Sequence, residues 1–374
     1  MNSSSRPSAR IFELDSLRGL AALGVVVYHY GSHFHQFPLP GLLAPLYDEG
    51  WRAVDFFFAL SGFVLARAYW TPARKDRLFP NIWDRVCRLY PLHLVTLALV
   101  ALGQWYLTSQ LHRGIYIYHL TDLYHFVLNL FLIHGLDASF NGPSWSISTE
   151  FVVNVLFFLA ILLPRRMAFA CFIGAIVASS LIPTEGTGTV LIPLARTLRG
   201  FCVGVLIYRL FTTLTGWRPP WLARAANVVF VVAAAGAIAY PYLPGRYAQF
   251  SGALTLLLSS ALIISAPVSP VARSILNRAP LIYLGEISYS VYLVHFPLQL
   301  ALWLLAVRFG LAWPLSQTSG LIAFLLATVG CAALTYRMIE LPGKRWLRLP
   351  RKRSAAQAQV SVPTASPGSR TDVL

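Results

Sequence analysis

The feature that most constrains this chain is a series of ten long apolar stretches, at roughly 14–33, 53–70, 91–109, 143–163, 168–183, 193–211, 226–243, 249–266, 284–305 and 319–338. A helix crosses the hydrocarbon core of a bilayer with about 20 mainly apolar residues. Backbone polar groups in lipid must pair within the chain, so stretches of this length read as membrane helices. A β-barrel needs alternating polarity, and runs such as Phe56 to Leu60 and Phe126 to Ile133 do not alternate. Only 12% of the 374 residues are charged, too few to cover the surfaces of a soluble protein of this length. A soluble enzyme, a coiled coil and a largely disordered chain are excluded. The expected fold class is all-α, a polytopic membrane protein with about ten transmembrane helices.

The net charge of +16 would point to nucleic acid in a soluble chain. Here the positions of the charges decide. With the N-terminus in the cytoplasm and ten spans, 24 of the 30 basic residues fall in cytoplasmic segments or span ends. Arg52, Arg113, Arg246 and Arg308 fall outside, and Arg196 and Arg199 lie within a span. This is the positive-inside pattern; both termini are expected in the cytoplasm, with membrane lipid and no nucleic acid as partner. One further apolar stretch, 119–136, carries His119, Asp122, His125, Asn129 and His134. Counting it as a span inverts every later loop, so it is expected to be re-entrant or interfacial on the external side. The first stretch holds Arg18 and no small-residue cleavage site, so it does not read as a signal peptide. The chain divides into a cytoplasmic segment at 1–10, a membrane domain at 11–345 and a tail at 346–374. The tail is basic, then rich in Ser, Ala, Gln and Pro, and is expected to be disordered. No internal repeat supports the inverted-repeat plan of many transporters.

Ionisable residues inside spans are costly and usually functional, and this chain has a specific set. Asp15 and Arg18 are three apart and can pair. Arg18 and His29 are eleven apart, three turns plus about 20°, which places them on one face about 16 Å apart. The alternative is a snorkelling arginine and a satisfied core histidine. His29 and His33 have a possible metal-ligand spacing, but no third ligand clusters with them and His33 and His35 are expected at the external surface. No metal is expected. The four cysteines are scattered singly and read as packing residues. Asp55 is read either as solvated or as a partner of Arg52. Arg85 and Arg88 share a helix face as a fork that suits phosphate, or serve as ordinary positive-inside anchors. Pro143 opens a helix that carries Trp145 and puts Glu150 about 10 Å in. Glu150 and His29 are compatible with meeting in one cavity as an acid–base pair. Arg196 and Arg199 are expected to line a water-filled or anionic cavity, with Glu150 or a substrate as partner. His295 is again mid-span, preceded by Tyr289 and Tyr292, and Glu340 closes the last span.

These residues resemble the acyltransferase-3 family of integral-membrane O-acyltransferases. The resemblance starts with Leu14-Asp15-Ser16-Leu17-Arg18-Gly19-Leu20-Ala21-Ala22 ending at His29. Four more blocks follow in order: Asp55 to Phe63, Arg85-x-x-Arg88, Trp145-Ser146-x-x-x-Glu150, and Ile287-Ser288-Tyr289 to His295. It runs from about 11 to 345 and leaves no room for a fused hydrolase-like domain. It implies transfer of an acyl group, most often acetyl, from cytoplasmic acyl-CoA to a hydroxyl of a carbohydrate or glycoconjugate, at the bacterial inner membrane. It further implies His29 as catalytic base with Arg18 in support, Glu150 orienting His29 or the acceptor, and Arg85 and Arg88 on the phosphates of CoA. Asp15, Asp55, Trp145, Arg196, Arg199, Tyr289 and His295 are then expected around the substrate. A transporter or flippase for a glycan or lipid-linked sugar is the alternative from another class, since it would use the same buried charges.

Overall fold

The computed structural model describes residues 10–71, 77–116, 122–136, 139–182, 191–217, 219–242 and 251–348. The N-terminal segment before Arg10 and the tail from 349 lie outside the described residues, as do Arg6, Arg74, Lys75, His119, Arg218 and Arg246. Among the described residues every regular element is helical. The order is α1 (Phe12–Phe34), α2 (Pro40–Glu49), α3 (Ala53–Tyr69), α4 (Leu78–Ser109), α5 (Leu123–Leu130), α6 (Trp145–Ala160), α7 (Arg165–Ser180) and α8 (Leu191–Trp217). There follow α9 (Leu222–Ala239), α10 (Ser251–Ser265), α11 (Pro270–Leu276), α12 (Ala279–Glu286), α13 (Ser288–Phe309), α14 (Thr318–Thr335) and α15 (Leu341–Trp346). A π-helical turn, Tyr336–Glu340, joins α14 to α15 without a break.

Where described, each of the ten apolar stretches is mainly helical, but the helices differ in length. Among the described residues six helices are long and apolar enough to cross a membrane, and seven if the α10–α11 pair, bent by 93°, is one span. The shortfall has local causes. Helix α3 has 17 residues and α7 has 16. Helix α1 has 23, but Tyr28, His29, Tyr30 and His33 dilute its apolar character. Helix α5 has eight residues, about 12 Å at 1.5 Å per residue, too short to span. Its N-cap is Asp122, which accepts from the His125 backbone N–H and then from the His125 ring, and these bonds hold the carboxyl below its usual range.

Two crossings fix the site. Helices α3 and α8 cross at backbone contact: a Cβ on Gly204 would stand 1.9 Å from the Ala59 carbonyl oxygen, and one on Gly62 would stand 1.9 Å from that of Phe201. Small residues let membrane helices approach this closely. A methyl group there must separate two backbones, so Gly204→Ala is expected to cost about 3 kcal/mol, read as a lower thermal midpoint in detergent; an unchanged midpoint would show that the crossing yields. Helices α1 and α12 meet in the same way at Gly285, where a Cβ would lie 2.1 Å from the Asp15 carbonyl oxygen. This places the start of α13 beside Arg18.

The main core gathers Val25, Val26 and Tyr30 of α1, Phe58 of α3, Leu92 of α4, and Val291, Leu293 and Val294 of α13. The sequence-distant polar residues are therefore carried on elements packed around one centre.

Candidate active site

The polar residues singled out in the sequence form three groups. The first lines a cavity of about 100 Å³ bounded by Arg18, Phe57, Ser61, Arg85, Arg88, Glu150, Ser288, Tyr289 and Tyr292, with Phe58, Ser146 and Ile147 among its other walls. Arg18 is fixed by donating Nε to Ser288 Oγ (2.9 Å) and Nη2 to the Gly285 carbonyl (2.6 Å), and it lies 3.2 Å from Asp15. Asp15 itself pairs with Arg10 and Arg18 and is absent from the cavity wall. Arg85 is 6% exposed, and its Nε is buried with no hydrogen-bond partner. Lys344 stands in the field of Arg85, Arg88 and Arg348, because α15 returns the C-terminal basic cluster onto α4, where Trp83 Nε1 donates to the Leu347 carbonyl. Like charges gathered in a low-dielectric site repel strongly, so this arrangement is suited to a polyanion. Tyr289 donates to the Leu89 carbonyl (2.6 Å), one turn beyond Arg85.

The second group is a histidine cluster. His29 Nδ1 lies 3.2 Å from His295 Nε2 and 3.1 Å from the Val25 carbonyl. His295 Nδ1 is 3.3 Å from the Val291 carbonyl. A carbonyl oxygen only accepts. His295 therefore carries its proton on Nδ1 and presents a bare Nε2, to which His29 donates from Nδ1. The remaining nitrogen of His29, Nε2, then holds a lone pair, the tautomer a general base needs. Gln299, fully buried, donates to the His29 carbonyl (3.0 Å) and faces His33 Nδ1 at 2.8 Å. His33 belongs to this cluster, its ring 4.9 Å from that of His29, and is partly buried, whereas His35 is exposed. Among the described residues no three His, Cys, Asp or Glu side chains gather as a metal site.

The third group surrounds Asp55. Arg196 donates from Nε and Nη2 to the two oxygens of Asp55 (2.6 and 3.0 Å), and both residues are buried. The guanidinium lies 4.3 Å from the Trp51 ring and 5.9 Å from that of Trp145, which packs on Phe58.

Three expected pairings are corrected. Glu150 does not orient His29; it accepts from Ser61 Oγ at 2.7 Å, and the partner of His29 is His295. Asp55 pairs with Arg196, while Arg52 bonds Glu49. Arg196 thus takes Asp55 as its carboxylate and not Glu150. The α3–α8 crossing brings Asp55 to Arg196, residues 141 apart, while the packing of α1 on α13 brings His29 to His295 and leaves Glu150 to Ser61 of α3. The sequence reading passed over Gln299 and the polar role of Ser61. Gln299 follows His295 by four residues, so a helix-face count could have found it; nothing local marks Ser61.

An integral-membrane helical bundle with a cation-lined cavity and a separate histidine pair has the parts a membrane enzyme of group-transfer type requires. A family model described as Acyltransferase domain matches residues 11–337, and the chain belongs to the acyltransferase-3 family of membrane acyltransferases. It is 28% identical to Acyltransferase MdmB of Streptomyces mycarofaciens, over 93% of this chain and 96% of that relative. It is 29% identical to the provisionally named membrane-bound transacylase BcsY of Komagataeibacter xylinus, over 78% of this chain and 73% of the relative. The provisionally named peptidoglycan O-acetyltransferase YrhL of Bacillus subtilis is 24% identical over 88% of this chain, which spans 54% of that longer protein. No solved structure matches.

Proposed function

We propose that this chain transfers an acyl group, acetyl foremost, from acyl-CoA to a hydroxyl of a carbohydrate or glycoconjugate, with His29 as general base. The observation that carries the donor reading is the buried, unpartnered Nε of Arg85 in a cavity shared with Arg18 and Arg88. Guanidinium groups bind phosphate through paired N–H donors, and CoA brings several phosphates. The relatives with acetyltransferase and transacylase names support the acyl chemistry.

Phosphates held at the level of Arg18 would leave a thioester about 16 Å deeper, at His29. Such a donor must be long and narrow, as the pantetheine arm is. His29 Nε2 takes the acceptor hydroxyl proton as the oxygen bonds to the thioester carbon. The tetrahedral adduct collapses, the carbon–sulfur bond breaks, and the thiolate of CoA receives the proton from His29. The oxyanion needs donors within hydrogen-bond reach of it; Arg18, about 16 Å from His29, is too far to be one and serves the donor's phosphates. The excess of basic residues at the same ends of the helices as Arg85 and Arg88 supports a cytoplasmic donor side.

Melting the purified protein in detergent with rising CoA or acetyl-CoA tests the donor reading. A ligand of the native state at one hundred times Kd stabilises by about 2.7 kcal/mol. The expected result is a saturable rise in midpoint that Arg85→Gln/Arg88→Gln abolishes. A well-folded protein with no rise at millimolar ligand would overturn the donor assignment and favour transport. For the histidine pair, His295→Gln keeps an acceptor near the old Nε2 and is expected to retain transfer within about tenfold, whereas His295→Phe lowers kcat by roughly 100-fold with little change in KM. Equal rates in the two variants would remove His295 from the mechanism.

A further inference from the structure

A second, smaller cavity lies between the start of α3, helix α8 and helix α10, with Trp51, Asp55, Arg196, Arg199 and Leu256 in its wall. Its charges do not balance. Asp55 is occupied by both donors of Arg196. Glu49 accepts from Arg52 and from the Tyr240 hydroxyl (2.9 Å). Arg199, one turn along from Arg196 and facing the same cavity, is half-buried and makes no hydrogen bond or ion pair with a carboxylate among the described residues; it feels Asp55 only through space, and Asp55 is already engaged by Arg196. A guanidinium left over in a membrane helix calls for an anionic partner. The cavity holds about 10 Å³, room for one water-sized group. A whole sugar does not enter; one oxygen of an anionic substituent does, the rest of the group staying at the cavity mouth. Tyr28 relates this region to the base: it lies in the field of Glu49 and Arg196, and its ring meets that of His29 edge-on at 5.0 Å.

We propose that Arg199 is the recognition point for a carboxylate or phosphate borne by the acceptor, so that this enzyme acts on acidic glycans or glycoconjugates. The proposal rests on the acyltransferase reading above. It assigns specificity to a place apart from the donor cavity: the anionic group docks at Arg199, with Trp51 and the Arg196–Asp55 pair as its rigid backing, and a neighbouring hydroxyl is presented across Tyr28 to His29. Neutral acceptors lack the one interaction that neutralises the surplus guanidinium.

The test uses the full chain in phosphatidylcholine nanodiscs. Thermal midpoints are followed against methyl glucuronide, glucose 1-phosphate and neutral methyl glucoside, with CoA titrated in parallel. Both anionic sugars are expected to give saturable rises and methyl glucoside none. Arg199→Gln should weaken the anionic sugars about tenfold or more while leaving the CoA rise in place, and Arg199→Lys should retain part of the effect. Equal rises for neutral and anionic sugars, no rise for either, or rises indifferent to Arg199→Gln would overturn the proposal; the first comparison needs no variant and survives one that misfolds. A third arm replaces part of the lipid with phosphatidylglycerol. A rise that depends on Arg199 and on that lipid, without one for the sugars, would make this a lipid headgroup site and overturn the acceptor claim. The parallel CoA titration separates the two readings: loss of the CoA response alone strikes the donor assignment, and loss of the sugar response alone strikes this one.

Discussion

His29→Ala is expected to abolish acyl transfer while leaving the protein inserted and folded. General-base catalysis contributes typically about 10²–10⁴-fold, so product formation should fall by at least the lower figure. His29 is half-buried, and its ring bonds to the Val25 carbonyl and His295. Its removal opens a small polar space and strands one ring nitrogen, a modest structural cost. The check is acetyl transfer from labelled acetyl-CoA in membranes carrying equal amounts of each protein, with the detergent midpoint as control. A variant that keeps wild-type transfer would end the base assignment; one that keeps the CoA-induced rise in midpoint but transfers nothing is the result that fits. The companion expectation is a wild-type rate that falls on the acid side as His29 takes up a proton and loses its lone pair.

The largest loss of stability is expected from Asp55→Asn or Arg196→Gln. Each leaves a buried partner uncompensated, at a cost of about 3–5 kcal/mol. The geometry argues for the upper part of that range: two hydrogen bonds at 2.6 and 3.0 Å, both residues below a tenth exposed, and an indole 4.3 Å from the guanidinium. Replacing both, as Asp55→Leu with Arg196→Met, removes the desolvation penalty along with the attraction and should recover most of the loss. Denaturation midpoints of the two single variants and the double variant close the cycle. Additive losses would mean that the two side chains do not act as a pair.

Much of this was legible in the sequence because lipid enforces a simple code. Ten apolar stretches became helices, and the residues too polar for their surroundings, from Arg18 to His295, proved to line the cavity, form the histidine cluster or pair in the core. The face arithmetic on α1 was sound, since Arg18 and His29 need only one helix to be related. What was not legible was the pairing between helices. Whether Glu150 or His295 meets His29, and whether Asp55 meets Arg52 or Arg196, depends on which helices touch and at what height. That is set by close glycine crossings, and Gly62 and Gly204 carry no sign of their partners. Span count diverged for a separate reason: α3 and α7 are short, and α1 carries the polar residues proposed for the site.

Helix α3 has one further consequence. It carries Asp55 at the smaller cavity, Phe57 against Tyr292 and Ser61 on Glu150 in the larger one, six residues and about 9 Å from first to last. A single rod, locked against α8, is thus gauge for both chambers. A sideways shift of that rod changes both openings at once, whereas a change on α4 or α10 alters only one. Variation in what such an enzyme accepts is therefore easiest through the outer helices, with α3 held as the fixed standard between them.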